Sequence, residues 1–247
     1  MVKQAKAGSL HAHWLGQSSS ASQHSPLVQQ RPVFYVETRE KRSAVIDRSR
    51  LRPGAFSIPR FGEDVIAICD RLEVDPNRRV FFASSLGSNA VLEGFKHGRL
   101  AGRGAFLIGP NAEFRFPGWG KALTYMPASI YHLARPFMVW YLRRFRVNAS
   151  EDPEQMARYE RTLKAAHPVR LKLSGRAVLG YSLFPDLGTV HVPVAIAHAP
   201  SDTLHEGRQV HRIVDALPRG RAVECPSNTY MHTAAVAVDL GRFVASL

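Results

Sequence analysis

The sequence predicts an α/β fold: a mostly parallel sheet with helices on both faces and a helical cap inserted between two of its strands. Three observations carry this prediction. Short apolar runs rich in β-branched and aromatic residues alternate with stretches of helical spacing, which is the pattern of a parallel sheet covered on both sides. Residues 117–180 break that alternation with helical segments and no strands between them, too much chain for an ordinary crossover. The chain has 247 residues, 45% of them apolar, enough to enclose one sizeable core.

The elements follow in order. Residues 1–31 are polar, rich in Ser and Gln, and read as an N-terminal arm. "VFYV" (33–36) reads as a buried strand that breaks into the charged stretch 37–42. "RPGAFSIP" (52–59) is loop by its Pro and Gly content. In "FGEDVIAICDRLEVDPNRR", Val65, Ile68, Cys69 and Leu72 fall at helical spacing. Glu63 and Asp64 then stand near the helix start, where the helix dipole favours carboxylates. A strand over 80–83, a sharp turn and a helix over 88–96 come next. "GAFLIGPN" (104–111) is a strand ending in a turn. Within 117–180, "IYHLARPFMVWYLRRF" and "DPEQMARYERTLKAA" are helical. "VPVAIAHAPSDTLH" (192–205) returns to a strand and a turn, and "GRQVHRIVDALP" is an amphipathic helix. A short last strand and a loop occupy "GRAVECPSNTYMH", and "TAAVAVDLGRFVASL" closes the chain as a helix. The expected organisation is an arm (1–31), a core made of 32–116 and 181–247, and a cap insertion (117–180).

Net charge is +13 and comes mainly from arginine. The arginines are scattered and not gathered into one patch, so no specific nucleic-acid partner is expected. Two cysteines, Cys69 and Cys225, make no disulfide framework, and a reducing, cytoplasmic location is the expectation. No apolar run approaches the ~18 residues of a spanning helix, and the first residues lack the apolar block of a secretory signal.

"RRVFFASSLGSNAVLEGF" (78–95) places Ser84, Ser85 and Ser88 at the carboxyl end of a strand, where open parallel sheets bind their ligands. A nucleophile on a strand-to-helix turn needs small residues two before and two after it, because the turn is tight. Ser85 has Ala83 and Gly87 there. Ser84 would have Phe82 and Leu86, and Ser88 would sit inside the helix. Ser85 is therefore the candidate. A plainer reading stays open on the pentapeptide alone: Ser84 or Ser85 caps the helix.

A serine hydroxyl needs a base, and the base needs an orienting carboxylate. "VAIAHAPSDTLH" offers Asp202 just past a strand end, and "SNTYMHTAA" offers His232 between the last strand and the last helix. The chain order Ser85, Asp202, His232 suits this type of sheet. Glu113 is the alternative acid, and His198 and His205 flank Asp202 as rival bases. The spacing of "HAPSDTLH" matches no familiar ligand motif, so neither a metal nor another cofactor is expected. His97 and His191 read as surface histidines.

These segments together resemble the α/β-hydrolase family over roughly residues 32–247. "VFYVETREKRSA" resembles the family's strand and loop ahead of the nucleophile unit, and "VFFASSLGSNAV" its nucleophile elbow, with Ala83 in place of the usual first glycine. "VPVAIAHAPSD" resembles the acid turn and "NTYMH" the histidine loop, while 117–180 fits the variable cap. The resemblance implies Ser85 as nucleophile, His232 as general base and then acid, and Asp202 as the residue that holds the imidazole. It also implies an oxyanion hole with one donor at the Leu86 N–H. The second donor normally comes from an earlier strand-loop unit, and here little precedes Val33. Trp14 or Leu15 in "SLHAHWLGQSSS" could supply it, or that stretch is simply an arm.

Phe137, Trp140 and Tyr141 crowd one cap segment beside Arg135, Arg143, Arg144 and Arg146. They suit an apolar acyl pocket with a basic rim, compatible with weak contact with anionic lipid surfaces. The alternative is an ordinary helix packed on the core with snorkelling arginines. The functional expectation is a serine hydrolase that acts on a small-molecule acyl substrate, an ester first and a thioester or amide second, through an acyl-enzyme. The competing expectations are a non-catalytic binding protein of the same fold and an acyltransferase.

Overall fold

The computed structural model describes residues 2–5, 32–146, 153–200 and 207–247. The first two strands, β1 (Val2–Ala5) and β2 (Val33–Val36), pair antiparallel with Val2 opposite Val36 and form a small sheet of their own. The expectation of a buried strand at 33–36 is therefore corrected. Val33 is exposed and the other three residues are half-buried, because a two-stranded ribbon has no sheet neighbours to cover both of its faces.

Among the described residues the main sheet has four parallel strands in the order β3 (Val80–Ser84), β4 (Gly104–Ile108), β5 (Val194–His198) and β6 (Gly220–Glu224). Every residue of β4 and β5 is buried, as central parallel strands covered on both faces must be. Side chains alternate between the faces. Leu107 and Ile196 pack with Leu92 and Phe95 on one side and with Val210 and Ile213. Phe106, Ala195 and Ala197 pack on the other side with Met231 and Phe243.

Those partners come from helices. In chain order, α1 (Ile58–Leu72) precedes β3, and α2 (Leu86–Phe95) joins β3 to β4. Between β4 and β5 lie α3 (Gly118–Tyr125), α4 (Ile130–Tyr141), α5 (Pro153–Ala165) and α6 (Pro168–Ala177). α7 (Gly207–Ala216) precedes β6. α8 (Asn228–Met231) and α9 (Ala237–Ala245) follow it. No helix among the described residues is long and apolar enough to cross a membrane.

Two local expectations change. The stretch expected as loop over 52–59 holds a 3₁₀ turn (Pro53–Phe56) with Ala55 and Phe56 buried, and α1 already starts at Ile58 with Pro59 in its first turn. Proline suits that place because its missing N–H would be unpaired there anyway. Glu63 and Asp64 consequently lie beyond the first turn and are not dipole partners. They meet arginines instead: Asp64 accepts from both Nε and Nη2 of Arg39, and Glu63 pairs with Arg60.

α1 crosses α2 at a glycine contact. A Cβ placed on Gly62 would stand 2.9 Å from the Gly94 nitrogen and 3.1 Å from the Ala90 carbonyl oxygen. Both obstacles are helix backbone and cannot rotate away. Gly62→Ala should lower the unfolding free energy by about 1–3 kcal/mol, read as a lower urea midpoint at unchanged slope, despite alanine's better helix propensity. A midpoint equal to or above the parent's would disprove this contact.

Candidate functional site

The parallel strands end together, so the loops after β3, β5 and β6 share one edge of the sheet. Ser85 sits on that edge, between the last residue of β3 and the first of α2. Its backbone has φ 50° and ψ −120°, a region that L-residues other than glycine rarely occupy. The turn is held from both sides. The Ser85 N–H donates to the Ile108 carbonyl of β4 at 2.8 Å, and its own carbonyl accepts from the Asn89 N–H at 3.2 Å. A Cβ on Gly87 would stand 3.7 Å from the Ala83 Cβ, already in contact. Larger side chains at both positions would collide, which is the steric condition read from the sequence.

The three serines part company here. Ser84 ends β3 opposite Ile108. Ser88 is fully buried and donates its hydroxyl to the Ile108 carbonyl at 3.0 Å. Ser85 is half-buried, and although it occupies the N-cap position its side chain makes no capping hydrogen bond. The capping reading thus fails for Ser85, and its hydroxyl stays available at the sheet edge.

A contact that the sequence did not suggest meets that hydroxyl. Asn111, three residues past β4, directs its side-chain Nδ2 toward Ser85 Oγ at 3.5 Å. Asn111 is itself clamped by the fully buried Asn89: the Asn89 Nδ2 donates to the Asn111 carbonyl at 2.7 Å, and the Asn111 N–H donates to Asn89 Oδ1 at 2.8 Å. Asn89 lies one helical turn after Ser85, so the asparagine pair ties the loop after β4 to the elbow.

His232 follows α8 in the loop beyond β6, half-buried, with its N–H donating to the Thr229 carbonyl at 3.1 Å. α8 packs back onto β5, toward the middle of the sheet. The Ser227 hydroxyl accepts from the Tyr230 N–H at 3.0 Å and caps this short helix. Asp202, His205, Trp14 and Leu15 lie outside the described residues. Leu86 is the first residue of α2, and its N–H is among those with no acceptor inside the helix.

The other candidates have partners of their own. Glu113 bridges to Ser182 through the backbone, and its partly exposed carboxylate is 3.6 Å from Arg115. His198 is buried at the end of β5 against His211, with ring centroids 5.3 Å apart. Burial, and then His211, push its pKa down, so it is neutral at pH 7. Burial raises the pKa of both thiols, Cys225 to about 11, so neither is a ready thiolate. Among the described residues no cluster of His, Cys, Asp and Glu is arranged to hold a metal. On α4, Phe137 and Trp140 are exposed and face solvent, while Tyr141 is half-buried against Trp119.

No protein-family model matches the sequence, and no curated protein matches it. Solved structures do match in fold. A hydrolase from Oleispira antarctica superposes with a TM-score of 0.71 at 14% identity, covering 90% of this chain and 84% of that one. A thermophilic esterase from Thermogutta terrifontis gives 0.73 at 13%, covering 92% and 84%. An esterase from Exiguobacterium antarcticum gives 0.67 at 16%, covering 99% and 92%. The fold is that of the α/β-hydrolases.

The positive φ at Ser85 yields a stability test independent of any activity. Glycine relieves the strain that serine carries there. Ser85→Gly should therefore raise the unfolding free energy by about 1 kcal/mol, whereas Ser85→Val should lower it. A less stable Ser85→Gly variant would show that the elbow is not strained.

Proposed function

We propose that the protein is a serine hydrolase that cleaves a carboxylic ester through an acyl-enzyme. The observation that carries this reading is the Ser85 elbow: a strained, half-buried serine whose hydroxyl is not spent on capping, at the sheet edge that His232 shares. Two further considerations support it. The solved structures of similar fold include a hydrolase and esterases, and the sequence supplies Asp202 after β5 as the third member of a Ser-His-Asp set.

In this reading His232 takes the proton from Ser85 Oγ as the oxygen attacks the ester carbonyl, and Asp202 orients the imidazole and stabilises its charged form. The Leu86 N–H, at the positive end of α2, meets the oxyanion that forms. Trp14 or Leu15 on the arm is the candidate for the second donor. Collapse of the tetrahedral intermediate expels the alkoxide, which takes the proton back from His232. Water then attacks the acyl-serine with His232 again as base, releasing the acid and restoring Ser85. Asn111 Nδ2 holds the Ser85 side chain in the orientation from which its oxygen attacks.

The helical block from α3 to α6 acts as the cap over this edge. A contact from Arg158 of α5 to the side-chain oxygen of Asn228 supports that role, because it links the cap to the loop carrying His232. The substrate is a small acyl compound. Two buried, unpaired thiols, Cys69 and Cys225, suit a reducing compartment such as the cytoplasm.

A fluorophosphonate probe should label the wild-type protein, and Ser85→Ala should lose the label entirely. Equal labelling of both would dispose of Ser85 as the nucleophile. A folded wild type that neither takes the probe nor cleaves short-chain nitrophenyl esters would instead favour the non-catalytic binding protein. Asn111→Ala should slow labelling by about fivefold to tenfold, the worth of one hydrogen bond. An unchanged rate would remove Asn111 from the site.

A further inference from the structure

The outer face of the cap is apolar where it should be polar. α4 turns its buried side inward at Tyr131, whose hydroxyl donates to the Leu163 carbonyl at 2.7 Å. Its opposite side carries Leu133 (82% exposed), Phe137 (45%) and Trp140 (52%). These residues sit at i, i+4 and i+7, a single helical stripe. Phe145 (57% exposed), on the π-helical turn Leu142–Arg146, extends it. The rings touch one another in series: Phe137 and Trp140 at 5.5 Å between centroids, Trp140 and Phe145 at 5.6 Å. Trp119 of α3 packs edge-on to Phe137 at 5.0 Å from beneath. The result is one continuous exposed aromatic surface, not scattered single residues.

The stretch of chain that carries it is basic. Residues 114–150 hold six Lys and Arg and no Asp or Glu. Arg144 lies over the Phe145 ring at 5.2 Å, at the edge of the stripe. Arg143, beside it, meets Glu160 of α5 at 3.0 Å, a carboxylate that lies outside this stretch. An aromatic stripe with a Trp, flanked by cations, matches the interfacial zone of a bilayer that carries anionic headgroups. A second copy of the chain fits less well, because it would bring two basic faces together.

We propose that this face of the cap docks on the surface of an anionic phospholipid bilayer. Leu133, Phe137, Trp140 and Phe145 enter the headgroup region, and Arg144 meets the phosphates. The proposal does not depend on Ser85 being a nucleophile.

The test uses the full chain and extruded vesicles, either of phosphatidylcholine alone or of phosphatidylcholine with a quarter phosphatidylglycerol, read by co-sedimentation. Wild type should bind the anionic vesicles at least about tenfold better than the neutral ones, and binding should weaken as salt is raised. Phe137→Ser with Trp140→Ser should reduce binding by about tenfold or more, and Arg144→Ala by about fivefold. Both variants should keep the parent's thermal melting, since the residues changed are exposed. Leu133→Ser, at the most exposed position, serves in place of the double variant if that one melts early. Absence of binding to anionic vesicles would overturn the proposal, as would equal binding by wild type and stripe variants. Wild-type self-association abolished by the same substitutions, without vesicle binding, would assign the face to a second copy instead.

Discussion

Burial of both faces of β4 and β5 is the constraint on which the rest of the molecule depends. Side chains that alternate across these strands must be covered above and below, and helical crossovers between parallel strands provide that cover. Leu107 and Phe106 are neighbours in sequence, yet they anchor the two opposite layers, one with Phe95 and one with Phe243. Once the strands run parallel, their carboxyl ends must share an edge. Segments more than a hundred residues apart in the chain, the Ser85 turn and the loop of His232, are thereby brought to the same rim.

The elbow concentrates that architecture into one residue. Ser85 is held at φ 50° by hydrogen bonds to the neighbouring strand on one side and to the first turn of α2 on the other. The slim pair Ala83 and Gly87 lets the turn close. The strain persists because the sheet and the helix fix the chain before and after it. The Asn89–Asn111 pair adds a second clamp between α2 and the loop after β4. It leaves the Asn111 amide facing the Ser85 hydroxyl, while the Ser88 hydroxyl is spent on the Ile108 carbonyl.

The helices α3 to α6 obey a different logic. They lie between two strands of the sheet yet contribute little to the two main core layers. Of this block, Leu173 on α6 does join a smaller cluster with Phe56 and Phe61. α4 is therefore free to turn an aromatic stripe outward, at a cost in exposed apolar surface that core packing does not explain. The absence of acidic residues across 114–150 concentrates positive charge beside that stripe.

Much of this was legible locally. The runs over 80–83, 104–108 and 194–198 announce strands by their β-branched and aromatic residues, and the small residues at 83 and 87 single out Ser85 from its neighbours by sterics alone. The sequence by itself determined the α/β class, the parallel sheet and the candidate serine, because each follows from periodicity or from clashes within a few residues. The tertiary structure decided what depends on pairing at a distance. It left Val33–Val36 on a thin ribbon instead of in the core, and it carried Glu63 and Asp64 past the first turn of α1 to meet arginines. It brought Asn111 to Ser85, and it turned Phe137 and Trp140 toward water. Periodicity reveals that a stripe exists, but which layer covers it depends on where remote strands and helices come to rest.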